Sequence, residues 1–482
     1  MSKKLIIFLK SPSFFILLFA MGVVIGSVLP SARFFISVMV LLVGIIFSAV
    51  FLKIKILSVS ILLMMMGIFY FWIFASSLHN LPAGCHNVAV SSNPESDNGT
   101  LKFAVQNASG RAYLNLKTGD RLQYSDKINI CFEASNFAPV EGSYSRYLEA
   151  RYLTNELIRN PDFKFIGSGK NPLRYLYSFS AGVSGDLGKI FSGDAGVLAK
   201  GLILGGTQGF SPSFVNALRS SGTTHLVAVS GYNVSIITVV LFQLIRTSVS
   251  KRAAIITTAI VLLSFCLLTG ATSSVLRASL MGFLYLFAKC IGRRGATVNA
   301  LFVAAMIMIL YNPYSIYDVG FQLSFAATLG LVMLEEPLRV IFSRLATLPE
   351  ALMMAATSTL AAQVFTLPIL LWQFGQISLL APIANTLILP FVPLAMFMVA
   401  LTYILDKIIP IIGVFVSGLT QVLLDYIILV IKFFGGFSFS ALTVENMSWI
   451  YLVVLYFGVF ILATYLKAKS RKTIQGADGQ SL

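Results

Sequence analysis

The sequence is poor in charge, in histidine and in cysteine. Only 11% of its 482 residues are Asp, Glu, Lys or Arg, against 57% hydrophobic, and the mean hydropathy is +0.85. A soluble chain of this length keeps a far more charged surface, so that class is excluded. The three histidines, His79, His86 and His225, cannot build a dinuclear metallohydrolase centre, which gathers several His and Asp around its ions. The Gly-rich GLILGGTQG at 201–209 lacks the Gly-Lys-Ser/Thr of a phosphate-binding loop. Ser230 follows His225 by five residues, with no orienting acid nearby. The chain is therefore expected to carry no catalytic residue, metal or cofactor, and not to be an enzyme. Cys266 and Cys290 lie in apolar runs and read as packing residues. Cys85 and Cys131 bracket a polar insert, and a disulfide is expected if that insert faces an oxidising compartment.

Long apolar runs are what the chain does contain. Three open it, near 13–30, 34–52 and 56–77, each able to cross a hydrocarbon core of roughly 30 Å as a helix. Others follow near 222–245, 253–270, 273–291, 296–311, 316–334, 351–373, 379–404, 411–434 and 448–466. The expected fold class is a polytopic α-helical membrane bundle of about twelve spans. The net charge of +16 fits, because between His79 and Pro172 there are 10 Lys/Arg against 9 Asp/Glu. The excess gathers at span ends, as at Lys3, Lys4 and Lys10, Arg293 and Arg294, or Lys467 and Lys469. Cytoplasmic loops carry this bias. Both termini are thus expected in the cytoplasm, and the charge needs no anionic ligand to explain it.

The polar insert falls on the outer side. Turn chemistry at Asn98-Gly99, Ser109-Gly110 and 118–120 separates short alternating runs at 101–106, 112–116 and 127–134. That pattern predicts a small β domain, a sandwich or a barrel. From Tyr144 the spacing turns helical through SRYLEARYLTNELI. The division is 1–78 N-terminal membrane helices, 79–172 external β domain, 173–221 amphipathic or re-entrant linker, 222–466 main transmembrane domain and 467–482 cytoplasmic tail.

Several polar residues stand where lipid-compatible ones belong. His225, Ser230, Gly231 and Asn233 open one span, Arg277 lies about one turn inside another, and Asp318 sits near the outer end of a third. Asn385 interrupts APIANTLILP between two prolines. Ionisable groups at membrane depth are costly and face a bundle interior or a wet path. Irregular backbone is tolerated there only against protein or a water-filled cavity. These seven residues are expected to contribute to one polar cavity. The plainer alternatives are an Arg277–Asp318 ion pair that fixes helix packing, and close helix approach at Ser230-Gly231. From the residues alone the protein reads as a transporter-like bundle, with a permease for a small solute as one alternative.

HLVAVSGYNVSII at 225–237 resembles the signature of the ComEC family of competence proteins, and three further segments follow in that family's order. They are TGATSSVLRASLM, NPYSIYDVGFQLSFAATLGL and FGQISLLAPIANTLILPFVPL. Upstream, SYSRYLEARYL resembles the tail of the family's external OB-like domain. The resemblance implies a channel that moves single-stranded DNA through the cytoplasmic (inner) membrane during natural transformation. It also implies a cytoplasmic ATPase or helicase, a surface DNA receptor, a lipid bilayer as surroundings, and compatibility with a homo-oligomer. Many members carry a metallo-β-lactamase-like domain that is not matched here, so a separate nuclease is expected. The family's second histidine corresponds to Asn233, which favours hydrogen bonding over proton or metal chemistry. Under this reading Arg277 is the residue expected to grip phosphate, with Asp318 restraining it when no DNA is present.

Overall fold

A computed structural model describes residues 12–28, 55–97, 100–117, 122–138, 142–152, 154, 157–206, 209–227, 231–291, 297–345, 349–437, 440–444 and 449–478. The expected span at 34–52 and the position of Ser230 lie outside these residues. The chain divides into two compact units. One comprises Met1–Tyr175 with Phe283–Phe321, the other Leu176–Gly282 with Gln322–Leu482.

The first unit carries the β domain. Its strands are β1 (Gly84–Val90), β2 (Glu95–Asp97), β3 (Thr100–Gln106), β4 (Arg111–Lys117), β5 (Lys127–Phe132), β6 (Phe137–Ala138), β7 (Leu157–Arg159) and β8 (Asp162–Gly167). They form one sheet in the order β6-β7-β4-β3-β1-β5-β8, with β2 on β3. Strand alternation explains the register. Val88 and Val90, Phe103 and Val105, Leu114 and Leu116, and Ile128 and Ile130 fill one apolar core. Ala104 and Tyr113 point the other way and pack on Leu148 of the helix Gly142–Tyr152. The β3–β4 connection is an Asx turn in which Asn107 Oδ1 accepts from the Ser109 and Gly110 amides, at 2.8 and 3.0 Å. The helical reading of 145–158 is corrected here. The helix ends at Tyr152, and Leu157 and Ile158 form β7, paired parallel with β4, where both side chains are buried. β1, β2, β6 and β8 lie outside the expected runs. β1 alternates only over its last half, and β8 exposes Phe165 and Ile166 at the sheet edge.

Helices complete this unit. Pro12–Val28 and Lys55–Ser77 pack together through facing glycines. A Cβ at Gly22 would fall 2.0 Å from the Met64 carbonyl oxygen, and one at Gly67 would fall 2.2 Å from that of Phe19. Small residues at such a crossing let two backbones approach within a membrane. Thr297–Tyr311 joins the pair. Asn312 then ties the helix Thr297–Tyr311 to the β domain, its Nδ2 donating to the Ala150 carbonyl at 2.6 Å while its Oδ1 accepts from the Tyr314 amide at 3.0 Å.

The second unit is mainly helical, with one two-stranded antiparallel sheet of the short strands Gln376–Ser378 and Ala441–Thr443. Its core joins Leu187, Phe191, Leu198, Leu202, Phe214 and Leu218 to Ile388, Val392, Leu424 and Ile431. The short helices Gly193–Leu204 and Pro212–Ser220 thus pack on the long antiparallel pair Val392–Ile408 and Pro410–Gly435. Ion pairs link Asp186 to Lys407 at 2.8 Å and Asp194 to Lys432 at 2.9 Å. Ile411, Val414, Phe415, Val422 and Phe457 are more than half exposed, which suits a lipid-facing surface and would be unusual against water.

Among the described residues five helices are long and apolar enough to cross a membrane: Lys251–Leu268, Glu350–Phe374, Ala381–Ile408, Pro410–Gly435 and Ile450–Ser470. The protein is a membrane protein on that ground. Other expected spans fall short for stated reasons. Thr297–Tyr311 has 15 residues, and within the run at 222–245 the described helix Gly231–Arg246 has 16. The expected span at 379–404 is one of the five, with Pro390 inside its 3-10 turn, Leu389–Phe391, and Pro393 just after it.

Candidate functional site

The polar residues of the second unit are positioned by a break in the backbone. The helix Pro212–Ser220 ends in Ser221, Gly222 and Thr223, and a 3-10 turn, Thr224–Leu226, follows. Gly222 has a φ of +70°, and a Cβ there would fall 2.5 Å from that of Ala381. Only glycine meets both demands. The buried hydroxyls of Ser221 and Thr223 bond each other at 2.7 Å. Ser378 Oγ donates to the Ser220 carbonyl at 2.6 Å, and Gln363 Nε2 donates to the Ser378 carbonyl at 3.2 Å. Helix end, short strand and the following helix Ala381–Ile388 are thereby knotted together. His225 sits in the 3-10 turn, exposed, with its ring hydrogen-bonded to the Gly222 backbone.

The helix Gly231–Arg246 follows. Arg277, in the helix Ser273–Cys290, comes to Gly231. Its Nη2 lies 2.3 Å from the point a Cβ on Gly231 would occupy. Arg277 is 8% exposed, and its guanidinium carbon stands 6.0 Å from the centre of the Phe325 ring. Its Nε has no hydrogen-bond partner among the described residues. A buried guanidinium in this state is expensive. Asn233 is 2% exposed on the same helix as Gly231. Asn385 is 4% exposed in Ala381–Ile388, its Oδ1 without a partner. The structure thus brings Gly231 and Arg277 into direct contact and buries Asn233 and Asn385 in the same unit.

Asp318 belongs to the first unit. It starts the helix Val319–Leu345, its Oδ1 accepting from the Gly320 amide at 3.0 Å, as an N-terminal capping residue does. It also lies within electrostatic reach of Tyr147. Around that tyrosine, Tyr113 and Tyr152 stack at 4.5 Å, and Arg151 donates to the Tyr152 hydroxyl at 3.1 Å and pairs with Glu95 at 3.5 Å. Burial pushes the Tyr147 phenol well above its usual range, with Arg151 opposing. Burial works against the Arg151 charge, but Tyr152, Tyr147 and Glu95 outweigh it and hold the guanidinium protonated. Tyr113 and Phe132 are 4% exposed and serve the core. Cys85 and Cys131 are register partners across β1 and β5 and are joined as a disulfide.

A family model described as competence protein matches residues 202–469, more than half of the chain. The chain belongs to the ComEC family of competence proteins. A curated relative, ComE operon protein 3 of Bacillus subtilis (strain 168), is 35% identical over 178 residues. That match covers 37% of this chain and 22% of the relative, so the chain matches about a fifth of the relative's length. No solved structure matches. The family match begins inside the helix Gly193–Leu204 and takes in His225, Gly231, Asn233, Arg277, Asp318 and Asn385. The β sheet lies before it. Sequence reasoning missed Phe325, Ser378 and Ser220. Phe325 stood in an apolar run that gave no signal, and the Ser378–Ser220 bond joins residues 158 positions apart.

Proposed function

We propose that this protein takes part in DNA uptake during competence, and that it passes one strand of DNA across the cytoplasmic membrane. The observation that carries the reading is the coincidence of the competence-family match with the helical unit that holds the buried Arg277, its Nε without a partner among the described residues. A polyanion crossing lipid needs polar and cationic contacts that the bilayer cannot give. His225, Ser230, Gly231, Asn233, Arg277, Asp318 and Asn385 are the residues proposed to supply or shape that route. The protein acts as a channel, not an enzyme. About twelve crossings, cytoplasmic termini and an OB-like external domain belong to the same proposal. Tyr147, Tyr152 and Arg151 suit that domain to meeting a flexible strand, since aromatic and guanidinium planes stack on bases. A cytoplasmic ATPase or helicase would pull the strand, a surface receptor would deliver it, and a separate nuclease would remove its complement.

The test is deletion of the gene, followed by separate assays of labelled DNA bound at the surface and DNA protected inside the cell. Loss of entry with surface binding intact is expected. Normal entry, with a growth defect on some nutrient instead, would assign the bundle to a small solute.

A further inference from the structure

We infer that the outward face of the helix Pro410–Gly435, centred on Asp425 and Gln421, docks a membrane-spanning helix of a different protein, one that carries a lysine or arginine at mid-depth. The inference goes beyond the function proposed above and needs only that this helix crosses a membrane.

Asp425 stands where lipid tolerates a carboxylate least. Pro410–Gly435 is one of the five helices long and apolar enough to span. At ~1.5 Å per residue, Asp425 lies about 22 Å along it from Pro410 and about 15 Å from Gly435. A hydrocarbon core of roughly 30 Å therefore encloses it. The residue is exposed. Its neighbours one turn away on the same face, Val422 and Leu429, are 69% and 66% exposed, as lipid-facing side chains are. Other faces of this helix are taken. Leu424, Ile427 and Ile431 are buried in the unit's core, and Thr420 bonds Thr402 of the helix Val392–Ile408 at 2.9 Å. Gln421 Nε2 donates to both Asp425 oxygens, at 3.0 and 3.1 Å. An amide satisfies lone pairs but cancels no charge, and a charged group at this depth is costly until a counter-charge covers it. Lipid head groups stay at the membrane surface, so the cover must come from protein.

The face has the form a helix needs. Gly418 lies two turns before Asp425, and a Cβ there would meet nothing within 4 Å, which leaves room for a second backbone to come close. Beside it runs an apolar groove of about 310 Å³ whose lining includes Phe391, Leu394, Met398, Leu419, Val422 and Tyr426, a volume that takes leucine-sized side chains. The charge then decides the occupant. A second copy would set two Asp425 carboxylates against each other across a two-fold axis, where like charges repel. The cations of a copy's own spans are ill placed to compensate. Arg277 is buried, while Lys251, Lys289, Lys407 and Lys432 stand in the end turns of their helices. Lys432 is also held by Asp194 at 2.9 Å. A foreign helix with one Lys or Arg near its centre completes the pair, and that cation is itself costly in lipid without a carboxylate.

The experiment reconstitutes the full-length chain in phosphatidylcholine vesicles with synthetic single-span helices, each a leucine-alanine segment with lysine, aspartate or leucine at its centre. A photo-crosslinking amino acid in place of Leu429 reports the adduct with each, at equal amounts of reconstituted protein. The central-lysine helix should form the adduct about tenfold more than the leucine one, the range of an interhelical polar contact in lipid. Asp425→Asn, which keeps an acceptor for Gln421, should remove that preference, and Asp425→Lys should transfer it to the aspartate helix. Gly418→Leu should lower the lysine adduct several-fold by blocking close approach. Equal adducts with the lysine and leucine helices would overturn the inference and leave the face to lipid. A lysine preference that survives Asp425→Asn would overturn it as well. A crosslink between two copies at Leu429 that is undiminished as the lysine helix is added would assign the face to a second copy, with the same consequence.

Discussion

Asp126 and Arg174 offer the sharpest energetic test of the first unit. Asp126 sits in the turn that leads into β5, and Arg174 stands in the first turn of the helix Pro172–Ile190. Their side chains are 3% and 19% exposed and form a direct ion pair. Asp126 Oδ2 also accepts from the Gln123 amide at 2.7 Å, and the turn's backbone is stitched to Val90 at the end of β1. Asp126→Ala leaves a largely buried guanidinium with no counter-charge and one amide without its acceptor. Breaking a buried pair from one side costs about 3–5 kcal/mol, which in a fast-exchange regime lowers amide protection about a hundredfold or more. Hydrogen exchange of the full-length protein should show that loss in β1 and β5 first, because both strands border the turn. Replacing both residues, Asp126→Leu with Arg174→Met, should recover most of the protection, since a buried pair traded for apolar packing is close to neutral. A double-mutant cycle should give a coupling above about 1 kcal/mol, beyond the range of exposed pairs. A loss in β1 and β5 below about threefold for Asp126→Ala would refute the reasoning, because the pair would then be behaving as a solvated one.

Reducing the Cys85–Cys131 disulfide, which closes a 46-residue separation, should destabilise the β domain by up to about 4 kcal/mol; unchanged protease resistance after reduction would contradict this. Burial, with the negative charge of Glu149, pushes the Tyr314 phenol up to about 12. A raised folded value means its contribution is complete below the ordinary phenol value of 10.0 and is lost as pH climbs toward 12. Phenolate absorbance of wild type minus Tyr314→Phe should therefore show one late-titrating tyrosine, and a difference centred at the ordinary value would count against it. Gly67→Val should separate the helices Pro12–Val28 and Lys55–Ser77, because its Cβ would meet backbone and not a movable side-chain end. Crosslinking between cysteines placed at Phe19 and Gly67 neighbours should fall several-fold, and undiminished crosslinking would show the crossing does not depend on glycine.

Much of this fold was legible where one local rule governed. The alternation of Phe103, Val105, Leu114 and Leu116 announced strands because the pleat enforces period two. The Asn107–Gly110 turn was readable from its Ser-Gly pair. Leu157 and Ile158 misled because they continue a helical spacing, yet a parallel partner in β4 buries them more fully than another helical turn would. The charge of Arg277 at membrane depth was plain from the sequence, whereas its neighbours were not. Gly231 and Arg277 are brought together by packing between helices, and Phe325 is indistinguishable from any other apolar residue until its ring is seen beside a guanidinium. Asp318 offers a charge opposite to that of Arg277 in the sequence, and the structure adds a local task that charge alone does not show, capping Gly320.

The claim that a DNA strand crosses through the helical unit is tested most directly by catching the strand there. A photo-crosslinking amino acid in place of Phe325, beside Arg277, would be activated while labelled DNA is entering cells. The account predicts a covalent adduct between this protein and the single strand that is retained under denaturing conditions. The adduct should form only during uptake and disappear when Arg277→Gln is combined with the probe. DNA that enters normally without ever forming that adduct, while a probe at Tyr152 in the β domain does form one, would contradict it.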